Sequence, residues 1–340
     1  MKLKKEFSDF YEDIKIDSEA NVLREKRTTL EGEIKGKFPD ILEDHGIDIN
    51  KSDIRMIDQG SYKYKTTIKT DIVDRDVAVM IPLDTNENSD SRKIKEYLKE
   101  SIDISQRTIT IKEPCVRASY FENGEEWLHI DLPLYAEDNG KVYLARGKAN
   151  STNYSWEEAD PDGLNDDLCG KINGHPQLRR VICYVKKWRN VKYTNSTNDH
   201  EIPPSIGLTY LVCDNYTEQT TEDGDDDLLA LQNTMKAIKD KFYYRYNSEG
   251  KLVYASISRN LPVVPYTDIF KKMKDSSDEY MITFYKRLSE AVDNLTNAVN
   301  VESNHDAGTY VRKVLGDEFK VPEKEALVTS TQNRREHSFG

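Results

Sequence analysis

Residues 73–82 constrain this chain more than any other stretch. Val73, Val77, Val79 and Ile81 fall on odd positions, and Asp74 and Asp76 on even ones. Successive side chains of a strand point to opposite faces, so the aliphatic residues share one face and the two carboxylates share the other. Two carboxylates one residue apart on one strand face suit the bridging of hard divalent cations.

The neighbouring segments extend this pattern. Residues 54–59 read as a short strand leading through Gln59 into Gly60-Ser61. Glycine lets a backbone approach a phosphate, amides at a following helix start can cradle it, and Ser61 can donate its hydroxyl. Residues 108–118 read as another strand. In a third, over 126–132, Leu128, Ile130 and Leu132 alternate with Trp127, His129 and Asp131, and Pro133 ends or edges it. Asp131 on an adjacent strand would complete a three-carboxylate site. Acids so close repel one another unless metal or protons neutralise them. Two Mg²⁺ (or Mn²⁺) ions would do so, and would activate a sugar hydroxyl and stabilise a leaving pyrophosphate. His129 shares the face of Asp131 and stands either to line the cleft or to serve the structure.

The rest of the chain reads mainly as helix. Leu23, Leu30, Ile34 and Phe38 recur at helical spacing over 18–38, and Pro39 is expected to stop that helix. Residues 150–174 are polar and rich in Asp, Asn and Gly, as a connection between lobes would be. Beyond them run three apolar stripes: Leu178, Val181, Ile182, Val185 and Trp188; Met281, Phe284, Leu288, Val292 and Leu295; and Tyr310, Val311, Val314 and Leu315. At 340 residues the chain suits an α+β enzyme of two lobes. These would be a core over 1–160, a helical lobe over 161–322 and a flexible tail over 323–340.

Composition excludes several classes. A net charge of −12 argues against broad attraction to duplex DNA or an anionic membrane, and so against activation by direct nucleic-acid binding. It leaves room for a local basic pocket that takes a triphosphate. No apolar run approaches the ~20 residues of a membrane span, and Met1-Lys2-Leu3-Lys4-Lys5-Glu6 leads into no apolar signal segment. Cys115, Cys169, Cys183 and Cys213 form no paired or zinc-binding spacing, so a reducing, cytoplasmic setting is expected. The acidic run over 222–227 lacks a calcium-loop glutamate and reads as a solvated loop.

The ordered set Gln59-Gly60-Ser61-Tyr62, Thr67, Val73-Asp74-Arg75-Asp76-Val77 and His129-Ile130-Asp131-Leu132-Pro133 resembles the polymerase-β-type nucleotidyltransferases. More closely, it resembles the bacterial cGAS/DncV-like nucleotidyltransferases (CD-NTases). Leu178-Arg179-Arg180-Val181, Val185-Lys186-Lys187-Trp188 and Pro204-Ser205-Ile206-Gly207-Leu208-Thr209 extend the likeness. Arg75 departs from the usual apolar residue, and strand parity points it away from the acids. The resemblance implies a bilobal polymerase-β-like fold: a mixed sheet and a long N-terminal helix, with a helical lobe across a cleft. It also implies that ATP and GTP are joined into a cyclic di- or trinucleotide for anti-phage (CBASS) signalling.

The rival readings are a transferase that labels RNA or protein, and a catalytically silent nucleotide-binding protein. At ~100° per residue the 178–188 stripe leaves Lys187 turned to solvent and Lys186 on its flank, and the resemblance, which places a triphosphate-binding lysine at this point, favours Lys186. Ser205 follows Pro203-Pro204 and stands either to cap a helix or to touch phosphate. In part of the family a ubiquitin-transfer-like partner conjugates the C-terminal residue, a role open here to Gly340.

Overall fold

A computed structural model of the protein describes residues 2–16, 20–70, 72–104 and 106–324, apart from the side chain of Ala20. The chain opens with α1 (Lys4–Ile14) and α2 (Ala20–Asp44), then β1 (Arg55–Gln59), the single turn α3 (Gly60–Lys63) and β2 (Val73–Pro82). After α4 (Ser91–Ile102) come β3 (Thr108–Ile111), β4 (Val116–Glu122), β5 (Glu125–Leu132), β6 (Leu134–Asp138), β7 (Lys141–Arg146) and β8 (Ser155–Ala159). The second half holds α5 (Pro161–Ile172), α6 (Pro176–Lys192), α7 (Ser205–Asn215), the pair β9 (Thr220–Thr221) and β10 (Gly224–Asp225), and α8 (Asp227–Asp240). The hairpin β11 (Tyr243–Tyr246) and β12 (Leu252–Ser256), then α9 (Lys271–Ser276), α10 (Asp278–Asn300) and α11 (Asn304–Leu315), complete it.

β1 to β8 form one mixed sheet in the order β3-β4-β5-β2-β6-β7-β8, with β1 also on β2. β1 pairs antiparallel with one edge of β2. The other edge takes β5 beside residues 73–76 and β6 beside residues 79–82, both parallel to it. Pro133, which lacks an amide hydrogen, marks the break between β5 and β6, and its carbonyl still accepts from Val79. Asn123-Gly124 and Asn139-Gly140 have positive φ at both residues, the geometry of tight hairpins, and they close β4–β5 and β6–β7.

Two cores flank the cleft. Val73, Val77, Val79 and Ile81 of β2 bury against Leu23, Leu30, Ile34, Phe38 and Leu42 of α2. On the opposite face Ala78 and Met80 pack with Tyr135, so β2 is amphipathic only where it carries the aspartates. The second core joins the stripes of α6, α10 and α11. It also takes Phe7, Phe10 and Ile14 of α1, which therefore packs with the helical lobe although it lies within the first 160 residues. Phe7 meets Tyr184 and Phe319 edge-on, with ring centroids 5.3 and 5.2 Å apart.

Several local expectations are corrected. Pro39 does not stop α2, which runs on to Asp44 because the apolar stripe continues to a fully buried Leu42. Residues 108–118 are not one strand. They bend at 112–115 around Pro114, where the Lys112 amide donates to the Cys115 carbonyl, so β3 and β4 form a hairpin. Residues 150–174 are no loose connection. They carry β8 and α5, with Asp160 accepting from the Gly163 amide and Pro161 in the first turn. The run 222–227 is not simply solvated: Asp225 and Asp227 pair with Arg180, and buried Asp227 accepts from Tyr184.

Residues 325–340, and with them Gly340, lie outside the described residues. No described helix is long and apolar enough to cross a membrane.

The course of α2 past Pro39 is testable. Leu42→Ala should destabilise the protein by about 2–5 kcal/mol in urea unfolding, as deletion of a buried leucine does. A helix ending at Pro39 would leave Leu42 exposed and the change within about 0.5 kcal/mol.

Candidate active site

The site forms where β1 runs through α3 toward β2. Gln59 ends β1 and pairs in register with Asp76. Gly60 then turns the chain at φ 63°, a conformation that disfavours residues with a Cβ. Space demands glycine as well, because a Cβ there would lie 2.1 Å from Asp76 Oδ2. Ser61 follows, its hydroxyl sharing a 3.0 Å hydrogen bond with the Thr67 hydroxyl.

The parallel register of β2 on β5 sets Asp74 beside His129 and Asp76 beside Asp131. Strand parity turns all four to one face. Sequence alone did not show that these two strands are neighbours. Arg75, between the acids, is buried on the opposite face. Its guanidinium donates to Asp58 at 2.7 Å and to the Leu23 carbonyl at 2.7 Å, and stacks 4.0 Å from the Tyr62 ring centre.

Among the described residues one group could hold a metal ion: Asp74, His129 and Asp131, with one ligand atom of each lying within 4.8 Å of the others. Asp76 stands outside it, with its carboxylate against Gly60. His129 Nε2 lies 3.1 Å from Asp74 Oδ1, and Nδ1 lies 3.2 Å from Glu126. Burial opposes a charge on this imidazole, but the hydrogen bond and charge of Asp74 prevail and raise its pKa. Asp131 is taken by a two-armed bond from Arg117, at 2.7 and 2.8 Å. Burial, then the Asp74 and Asp131 charges, push Asp76 up to about 7. Three crowded carboxylates with two cationic partners form an oxygen-rich, charge-deficient set, which fits a divalent cation.

Two adjoining cavities, of about 400 and 880 Å³, meet at Ser61, Asp74, Lys186 and Ser205. Gln59, Gly60 and Asp76 line the smaller one. Asp131 borders neither, its two oxygens being taken by Arg117. Lys186 is buried, and its ammonium donates to the Thr66 carbonyl at 3.0 Å and to the Thr66 hydroxyl at 3.1 Å. Burial lowers its pKa to about 8.

Lys187 is not turned to solvent: it is buried, pairs with Glu318 and lines the larger cavity. Ser205 does not cap α7. Pro204 is the cap residue and Ser205 is the first residue of the helix, leaving its side chain to the cavity. Arg117 and Thr66 escaped the sequence reading. Arg117 shares the face of Asp131 only because the chain bends between β3 and β4; along one continuous strand its parity puts it with Ile109 and Ile111. The position of His129 opposite Asp74 needed the register.

A raised carboxylate pKa means that the ionised form of Asp76 is disfavoured by folding. That cost is absent below the ordinary value of 3.8, grows as the pH rises toward 7, and is full above it. Asp76→Asn should therefore stabilise the protein in excess EDTA, with a larger gain at about pH 8 than at about pH 5. Urea midpoints measure this, and an equal or negative shift at the higher pH would contradict the crowding.

Comparison with known proteins follows the same outline. Residues 54–135 match the family described as "Cyclic GMP-AMP synthase DncV-like, nucleotidyltransferase domain". A cyclic GMP-AMP synthase of Escherichia albertii is 29% identical over an alignment of 185 positions that covers 50% of this chain and 39% of that protein. The match thus spans about two-fifths of that relative's length. The apo form of Vibrio cholerae DncV superposes with a TM-score of 0.67 at 15% identity, covering 94% of this chain and 96% of that one. CdnC of E. coli MS115-1, solved in complex with HORMA-deltaN, gives 0.63 at 18% identity over 93% and 98%. Residues 54–135 thus match a DncV-like nucleotidyltransferase domain, and the chain shares the polymerase-β-like α+β fold of DncV along most of its length.

Proposed function

We propose that the protein is a cyclic oligonucleotide synthase. It would join nucleoside triphosphates, ATP and GTP foremost, into a cyclic di- or trinucleotide such as cyclic GMP-AMP. The convergence of Ser61, Asp74, Lys186 and Ser205 at the meeting of two cavities carries this reading. It brings phosphate-binding groups of both lobes to a carboxylate cluster.

Each residue then has a role. Gly60 leaves room for Asp76 and for a phosphate beside the backbone. Ser61, held by Thr67, presents its hydroxyl to that phosphate. Lys186 neutralises triphosphate charge from the helical side, leaving Thr66 to do so, and Ser205 adds a hydroxyl. Arg117 fixes the orientation of Asp131. Divalent cations held by Asp74, Asp76 and Asp131, with His129 alongside, would supply charge for activating a ribose hydroxyl and stabilising the departing pyrophosphate. The hydroxyl attacks an α-phosphate and pyrophosphate leaves. The linear product then turns and closes in a second transfer.

Two similar folds support the sequence of steps and the partners. A Vibrio cholerae DncV structure holds the linear intermediate 5′ pppA(3′,5′)pG. The CdnC complex shows this fold engaging a protein partner. With four free cysteines, we place the reaction in the reducing cytoplasm, and its product in anti-phage signalling.

The test is turnover of the four labelled nucleoside triphosphates with Mg²⁺ or Mn²⁺, followed by phosphatase. A phosphatase-resistant small product is expected. Label recovered only on RNA or protein would overturn the cyclase reading. Asp74→Ala with Asp76→Ala should abolish the product while the thermal transition is retained; full activity in this variant would remove the aspartates from the mechanism. Gly60→Ala displaces Asp76 and should lower turnover by about 100-fold or more, as a misplacement of about 1 Å does. Unchanged steady-state rates would show that the close approach is irrelevant.

A further inference from the structure

A separate cavity of about 340 Å³ adjoins the nucleotide cleft, with Thr67 the residue common to both. Tyr11 and Lys15 wall it from the end of α1, Tyr62, Lys65 and Thr67 from the segment after Ser61, and Arg179 from α6. No described acid lines it, although the chain carries a net charge of −12. Its size falls within the ~300–1,000 Å³ of small-molecule sites.

Two of its cations are uncommitted among the described residues. Lys65 is exposed, in no ion pair, and held at φ 57°, a left-handed conformation uncommon for lysine. The Nε of Arg179 is buried and has no hydrogen-bond partner. An unpaired buried donor is costly, and an acceptor on a ligand would relieve it. A planar guanidinium beside an ammonium suits the oxygens of a phosphate, and two tyrosine rings suit a planar ring.

The cavity also touches the phosphate-binding apparatus. Thr67 bonds the Ser61 hydroxyl, the Thr66 amide donates to the Ser61 carbonyl at 2.9 Å, and Thr66 holds Lys186 with two oxygens. A ligand gripping Lys65 and Thr67 takes hold of the stretch that places both Ser61 and Lys186.

We propose that this cavity is a second ligand site, for an anion the size of a nucleoside monophosphate. Its phosphate meets Lys65 and Arg179, its ring lies against the tyrosines, and its occupancy changes the rate of nucleotidyl transfer through residues 65–67. Binding here stands apart from the cyclase reading; only the change in rate rests on it.

The experiment titrates the full chain with AMP, and separately with inorganic phosphate, by calorimetry in EDTA so that nothing turns over. Lys186→Gln with Ser205→Ala weakens binding in the cleft, and Lys65→Gln, on an exposed residue, weakens the second site. AMP binding that survives the cleft variant and falls at least about ten-fold in Lys65→Gln supports the site. AMP binding lost with the cleft variant, or unchanged in Lys65→Gln, overturns it. Phosphate binding as tightly as AMP overturns the nucleotide assignment. Saturating AMP should alter the transfer rate of the wild-type protein and not that of Lys65→Gln. An equal effect on both overturns the coupling, and a wild type without turnover puts the failure on the cyclase reading while the calorimetry still decides the site.

Discussion

The structure is organised around the repulsion among Asp74, Asp76 and Asp131. The parallel register of β2 on β5 forces these carboxylates onto one small patch. Folding tolerates them because compensation is built in. Arg117 takes both oxygens of Asp131, His129 bridges to Asp74, and burial with the neighbouring charges raises the Asp76 carboxyl to about 7, which lessens the charge on the patch. The frame that holds them is rigid. Arg75 ties β2 to Asp58 of β1 and to the backbone of α2 from the opposite face, and the sheet buries its aliphatic side against α2. The cost of assembling like charges is therefore borne partly by the fold before any cation arrives, which is how a site can be positioned in advance of its ligand.

Gly60 follows from the same constraint. Asp76 fills the space where a side chain would stand, so β1 can turn toward β2 at this point only through glycine. The segment beyond it is pinned to both lobes. Tyr62 packs on the sheet core, while Tyr64 and Ile68 belong to the helical core. Thr66 holds Lys186, so the Gly-Ser turn and α6 are joined by hydrogen bonds across the cleft. Any relative shift of the lobes changes the distance from Ser61 to Lys186.

Periodicity made much of this legible. The strand at 73–82, the helical stripes of α6, α10 and α11, and the Gly-Ser turn all stand where local pattern puts them. Errors arose where a local signal met a non-local one. Pro39 disrupts a helix locally, yet packing of Leu42 carries α2 past it. Polar residues at 150–174 imitate a linker, but capping by Asp160 and pairing of β8 with β7 make them structure. Lys187 lies opposite an apolar stripe, and burial came from residue 318, far along the chain.

What the sequence determined by itself was the local character of each segment: which residues share a strand face, where the backbone turns, and which stretches carry carboxylates, hydroxyls or lysines. Side-chain alternation and turn propensity act over a few residues, so they can be read in order along the chain. What only the tertiary structure decided was adjacency. It put β5 rather than another strand beside β2, set His129 opposite Asp74, gave Asp131 to Arg117, and brought Lys186 and Ser205 of the helical lobe to the Gly-Ser turn. Strand partners and contacts between lobes are chosen by long-range packing, which leaves no periodic mark on the residues that meet.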